Sequence, residues 1–169
     1  MPHLWDEFFK MAGAAGATLI GLLFVAITVA TGFSKEHGVI GSRGFLTPVL
    51  VEFCVVLFLA LGVLAPWPST LPAGIVLGIA GLAGVAYQIH VIRIQLKIEF
   101  AALAWYDRLF YAAVPMISYA GMIAGGVGLI AGESFAPYAI AATTTLLLFI
   151  GIYGAWDVTL WIMKNRKDT

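Results

Sequence analysis

FLTPVLVEFCVVLFLALGVLA, residues 45–65, contains one charged side chain, Glu52, in 21 residues. At a rise of about 1.5 Å per residue, a helix of that length reaches about 30 Å, the depth of a bilayer's hydrocarbon core. The same reading holds on both sides of it. One apolar block, residues 12–33, precedes it, and three more, residues 71–92, 109–131 and 137–163, follow. The expected fold is therefore an all-α membrane bundle of five spans in a single domain, residues 1–169.

Composition agrees. Hydrophobic residues make up 62% of the chain and charged residues 11%, against about a quarter charged in a soluble domain. There is too little polar surface here to coat a water-soluble fold. The zero net charge leaves no footprint for nucleic acid. A single cysteine, Cys54, excludes an intrachain disulfide. Its expected role is that of a small, buried apolar residue.

The opening MPHLWDEFFKM carries Asp6 and Glu7 where a secretory leader would be basic, so no cleaved signal peptide is expected. On a helix, Leu4, Trp5, Phe8, Phe9 and Ala12 share one face and Asp6, Glu7 and Lys10 the other. That pattern suits a short helix lying in the interface before the first span. The alternative is that the segment extends the first span into water.

Charge sets the orientation. With the N-terminus outside, the inner segments hold Lys35, Arg43, Arg93, Lys97, Arg108, Lys164, Arg166 and Lys167, and the outer ones only Lys10. This positive-inside bias arises only if the number of spans is odd, so charge and hydropathy support each other. The outer connections, residues 66–70 and 132–136, are short, and prolines 66, 68, 72 and 137 sit at helix ends where they cost least. The longest inner connection, residues 93–108, alternates polar and apolar side chains. It reads as a helical extension of the third span along the cytoplasmic surface, since a lone strand there has no partner. No internal repeat is visible, and an odd span count departs from the duplicated-transporter plan.

Small residues recur at fourfold spacing: Gly13, Ala17 and Gly21; Gly74 with Gly78 and Gly81 with Gly84; Gly121 with Gly125 and Gly128 with Gly132; Gly151 with Ala155. Such stripes let helix backbones approach closely, which matters because lipid gives helices no hydrophobic reason to associate. They suit packing within one chain, and equally a homo-oligomer or a larger membrane complex.

Polar groups inside the spans are the candidates for function, and Glu52 stands first, about 12 Å along its helix from the inner loop by helical rise. An acid at a span's centre costs roughly 2.5–3.5 kcal/mol on insertion scales. Protonating an ordinary glutamate at pH 7 costs about as much, so a partner must decide its charge. Candidates at similar depth are His90 and Arg93 at the end of the third span, Asp107 and Arg108 at the start of the fourth, Asp157 in the fifth and Thr28 in the first. Tyr87, Gln88, Ser118 and Tyr119 add polar groups in the inner half. Pro48 and Pro115 interrupt the second and fourth spans, freeing carbonyls that need a donor or a coordinated cation. The expected ion or proton pathway comprises Glu52, Asp157, His90, Arg93 and Thr28, with the carboxylates as acceptors and Arg93 as counter-charge.

Plainer readings compete. Glu52 with Arg93 or His90 makes a structural ion pair that fixes helix register. Asp157 falls about 30 Å along its helix from Pro137, which suits the interface beside Trp156 and Trp161, an aromatic belt; Trp67 and Trp105 would mark the outer and inner surfaces. Thr143, Thr144 and Thr145 suit bonds to their own backbone.

Enzyme signatures are missing: no HExxH, CxxC, GxSxG or P-loop occurs, so no catalytic residue is expected. His90 is the only histidine within a span, so one chain cannot supply paired axial histidines for haem. Ala86 with His90 has the spacing of chlorophyll-binding helices, and His3 with Glu7 shares a helix face. Both are two-residue patterns, and neither a cofactor nor a metal is expected.

Two stretches, GAAGATLIGLLFVAITV at residues 13–29 and WDVTLWI at residues 156–162, resemble the ends of a group of small bacterial integral membrane proteins without assigned activity. The resemblance implies a bacterial cytoplasmic membrane and a single domain, and carries over no site residue. Function is thus expected to be an oligomeric ion or proton pathway built on Glu52, the alternative being a non-catalytic accessory subunit of a larger membrane complex.

Overall fold

The computed structural model describes residues 3–31, 38–97 and 105–165. They form five helices: α1 (Asp6–Thr31), α2 (Gly38–Leu64), α3 (Thr70–Lys97), α4 (Trp105–Ala131) and α5 (Ala136–Asn165). Each is long and apolar enough to cross a membrane. The all-α expectation holds, and every expected span lies within one helix or overlaps it closely.

The surface shows why such a bundle belongs in lipid. Leu22, Phe24, Val25, Leu61, Ile79, Leu82, Ile117, Val127, Phe149 and Ile152 all point outward. Apolar exposure on that scale is sustained by hydrocarbon and not by water. Cys54 joins them: it is exposed, which corrects its expected burial. Val49, Phe53, Val56 and Ala60 fill the inward stripe of α2, and Cys54 lies about 100° round the helix from Phe53.

A single 3-10 turn, His3–Trp5, runs straight into α1. Among the described residues there is no separate short interfacial helix: the segment extends the first span, which corrects the expected interfacial element, because nothing breaks the helix between Asp6 and Thr31. Phe9 is fully buried and Trp5 meets the ring of Tyr138 edge-on at 4.9 Å, so aromatic packing ties the start of α1 to the start of α5. Glu7 and Lys10 stay outside, paired at 2.8 Å.

α3 packs along α4, α4 along α5, α5 along α2, and α2 along α1, with α2 also touching α3 and α1 touching α5. Glycine sets these contacts. A Cβ on Gly126 would lie 2.7 Å from the backbone N of Gly78 and 2.8 Å from the carbonyl of Gly74. Gly84 receives the ring of Tyr119, Gly125 faces Ile140, Gly151 takes Phe53 and Gly154 takes Val49. Most of the stripes are therefore consumed within the chain. On α1 the packed pair is Gly13 against Ala60 and Gly16 against Val56, while Gly21 has nothing within 4 Å of its Cβ position.

Helix ends follow local chemistry. Gly132 has φ 73°, and the Glu133 N–H donates to the Gly128 carbonyl at 2.8 Å, the Schellman closure that a left-handed glycine permits. Between α2 and α3 the Trp67 indole donates to the Gly62 carbonyl at 2.6 Å. The connection between α3 and α4 is helical as far as Lys97; residues 98–104 lie outside the described residues, as do Lys35, Arg166 and Lys167 and the side chains of Arg43, Lys97, Trp105, Asp107, Arg108, Trp161 and Lys164.

Candidate functional site

Glu52 is positioned by its neighbours on α2. Val49 and Phe53 fit the notches at Gly154 and Gly151, which locks that face onto α5. The carboxyl of Glu52, about 100° round α2 from Phe53, is therefore carried to one side of that contact. Glu52 is 6% exposed, and its buried Oε2 has no hydrogen-bond partner. Native interiors almost always satisfy such an atom, so an exception calls for a reason.

Among the described residues, the other buried polar side chains, Gln88, Ser118, Thr143 and Thr144, are all engaged. Pro115 has no N–H for the carbonyl four residues back, that of Tyr111. Gln88 Nε2 donates to this carbonyl at 2.9 Å from the neighbouring helix. The freed carbonyl anticipated at Pro115 thus has its donor. Ser118 bonds the Val114 carbonyl at 2.9 Å. Of the threonines, Thr144 and Thr145 bond their own helix, whereas Thr143 crosses to the Ser118 carbonyl at 3.2 Å.

These five expected pathway residues do not meet in one place. Asp157, half-buried on α5, accepts a hydrogen bond from the Tyr111 hydroxyl on α4. His90 and Arg93 are exposed on α3. Neither forms an ion pair with Glu52; among the described residues the ion pair is Glu7 with Lys10. Thr28 is exposed, its hydroxyl donating to the Phe24 carbonyl at 2.8 Å. No group of three or more His, Cys, Asp or Glu suited to a metal occurs among the described residues.

The Tyr111–Asp157 bond had no sequence signal, because nothing in the chain marks two side chains 46 residues apart as neighbours. The role of Gln88 had one: an amide in a span at the depth of a helix-interrupting proline on another.

That role is testable. Replacing Gln88 by leucine should cost about 1–2 kcal/mol by stranding a buried carbonyl. In a Pro115→Ala background the same replacement should cost nearly nothing, since alanine restores the missing N–H. A double-mutant cycle in detergent unfolding reads the coupling; equal losses in both backgrounds would show that the carbonyl is not what Gln88 serves.

No protein-family model, no curated protein and no solved structure matches this chain.

Proposed function

We propose that this chain is a multi-pass protein of the bacterial cytoplasmic membrane that passes a proton or small cation through its bundle, with Glu52 as the acceptor inside the membrane. One observation carries the reading: a carboxyl 6% exposed whose Oε2 has no partner. A glutamine or leucine at that position would fold without the insertion cost of an acid, so retention of the acid calls for a function. A structural ion pair with His90 or Arg93 would have supplied another reason, and those two side chains point outward. Pro48, one turn before Glu52, and Pro115 each remove a rung of their helix. Local opening costs least at such turns.

The test is flux. Purified chain in lipid vesicles should carry the ion it serves, and Glu52→Gln should reduce that flux to the level of protein-free vesicles while leaving helicity and elution unchanged. Flux that survives the substitution would refute the proposal.

The orientation that goes with this reading places the N-terminus outside and the C-terminus in the cytoplasm, with eight of the nine basic residues inside. A reporter that works only in the cytoplasm should be active when fused after Thr169, and one that works only outside should be silent there. The opposite pattern would invert the topology.

The accessory-subunit reading is kept by a separate feature. Ala14, Ala17 and Gly21 on α1 are exposed, so one small-residue face is not used among the described residues. Gentle extraction should distinguish the two. A native mass that is a clean multiple of 18.0 kDa favours a self-contained homo-oligomer; other chains bound in fixed ratio favour the accessory role.

A further inference from the structure

We propose that Phe110, Tyr111, Tyr153 and Asp157 form a binding site for the ammonium headgroup of a zwitterionic lipid, where α4 begins and α5 ends. The site is separate from Glu52 and does not depend on the proposed pathway. Helical spacing brings its parts together. Tyr153 and Asp157 are four apart on α5 and share a face, and the Tyr111 hydroxyl on α4 donates to Asp157 Oδ2. The three rings close into a triangle, with centroids 4.7 Å apart for Phe110 and Tyr153, 5.9 Å for Tyr111 and Tyr153, and 6.3 Å for Phe110 and Tyr111. Their planes cross at 55°, 53° and 88°, so no ring lies flat on another. Tyr153 is 38% exposed and Asp157 is half-buried, so the cluster opens to the surroundings of the bundle.

Depth says what those surroundings are. Tyr111 lies 20 residues from Ala131, and Asp157 lies 20 from Pro137. Each is therefore about 30 Å of helix away from the turn that joins α4 to α5, a full hydrocarbon thickness. The cluster sits at a bilayer surface, the level of headgroups. Its charge selects among them. A carboxylate accepts about four hydrogen bonds, and the Tyr111 hydroxyl supplies one. Among the described residues no cation pairs with Asp157; the ion pair there is Glu7 with Lys10. The faces of aromatic rings are themselves electron-rich and attract ammonium groups. Carboxylate and rings together favour a cationic headgroup and repel a purely anionic one. The same face of α5 continues through exposed Phe149 toward the middle of the bilayer, a bed for the acyl chain. A free amine has no use for that surface, which points to a lipid as the source.

The experiment titrates phosphatidylethanolamine or phosphatidylglycerol into the full chain in detergent and counts retained lipid by native mass spectrometry. Wild type should hold phosphatidylethanolamine about tenfold more tightly, the scale of a charge-assisted bond with a cation–π contact. Asp157→Asn keeps an oxygen for the Tyr111 hydroxyl and removes the charge. Tyr153→Leu keeps apolar bulk and removes the ring. Each should cut the preference to about twofold or less, with helicity and elution unchanged, and free ethanolamine should not displace the lipid. Equal retention of the two lipids by wild type, or a preference that survives Asp157→Asn, would overturn the site. Displacement by free ethanolamine would overturn the lipid as its ligand and leave a site for soluble amines.

Discussion

Replacing Gly126 by alanine should loosen the α3–α4 contact by about 2–3 kcal/mol, the cost of overpacking where little can give. The added methyl would lie 2.7 Å from the Gly78 N and 2.8 Å from the Gly74 carbonyl. Both are backbone atoms of a helix, so no side-chain rotation relieves the clash and the two helices must separate. Separation carries its own penalty, since Tyr119, Ile123 and Ile130 are seated in the glycine notches of α3 and close contact is what holds helices together in lipid. Gly21→Ala is the internal control. Nothing lies within 4 Å of its Cβ, so stability should stay within about 0.5 kcal/mol. Detergent unfolding of the two variants beside wild type measures both. Equal stability of Gly126→Ala and wild type would mean that the α3–α4 interface is looser than these distances require.

Hydropathy alone fixed the number and class of elements, because five separated apolar blocks have only one economical arrangement in a bilayer. What it could not fix was azimuth. The α1 stripe read at fourfold spacing, Gly13–Ala17–Gly21, packs instead through Gly13 and Gly16, and α5 packs through Gly154 as well as through Gly151 and Ala155. Which neighbouring small residues meet a partner depends on the crossing angle, a property of two helices that no single helix encodes. The same gap explains the site. Depth along α3 nominated His90 and Arg93 as partners for Glu52. Rotation about the axis turns both outward and brings Gln88 and Tyr87, a turn or so earlier, toward the interior. Glu52 itself was legible because an acid in an apolar run is conspicuous whichever way its helix faces. The start of α1 was half-legible: the amphipathic pattern suited a separate short helix and an extension of the first span equally, and the structure has the extension, with α1 unbroken from Asp6 and the ring of Phe9 buried in the bundle.

The two intramembrane acids should respond to removal of their interactions with opposite signs. Tyr111→Phe deletes the hydroxyl that Asp157 accepts from, and should destabilise the bundle by about 1–2 kcal/mol, as a lost bond to a half-buried carboxyl does. Glu52→Met does the reverse. Methionine fills a similar volume with no polar atom, and Oε2 has no bond to lose. Removing a buried, unsatisfied polar group should therefore stabilise by about 1–3 kcal/mol. A Glu52 that held a structural ion pair would give the contrary result, since breaking such a pair costs about 3–5 kcal/mol. Thermal unfolding of the two variants separates these cases without any assay of transport. A Glu52→Met protein less stable than wild type would make the acid structural and remove the main support for a pathway through it. A more stable protein that no longer carries flux would mark Glu52 as a residue whose place in the membrane is maintained at a cost to the fold, the pattern expected where an acid is kept for what it does.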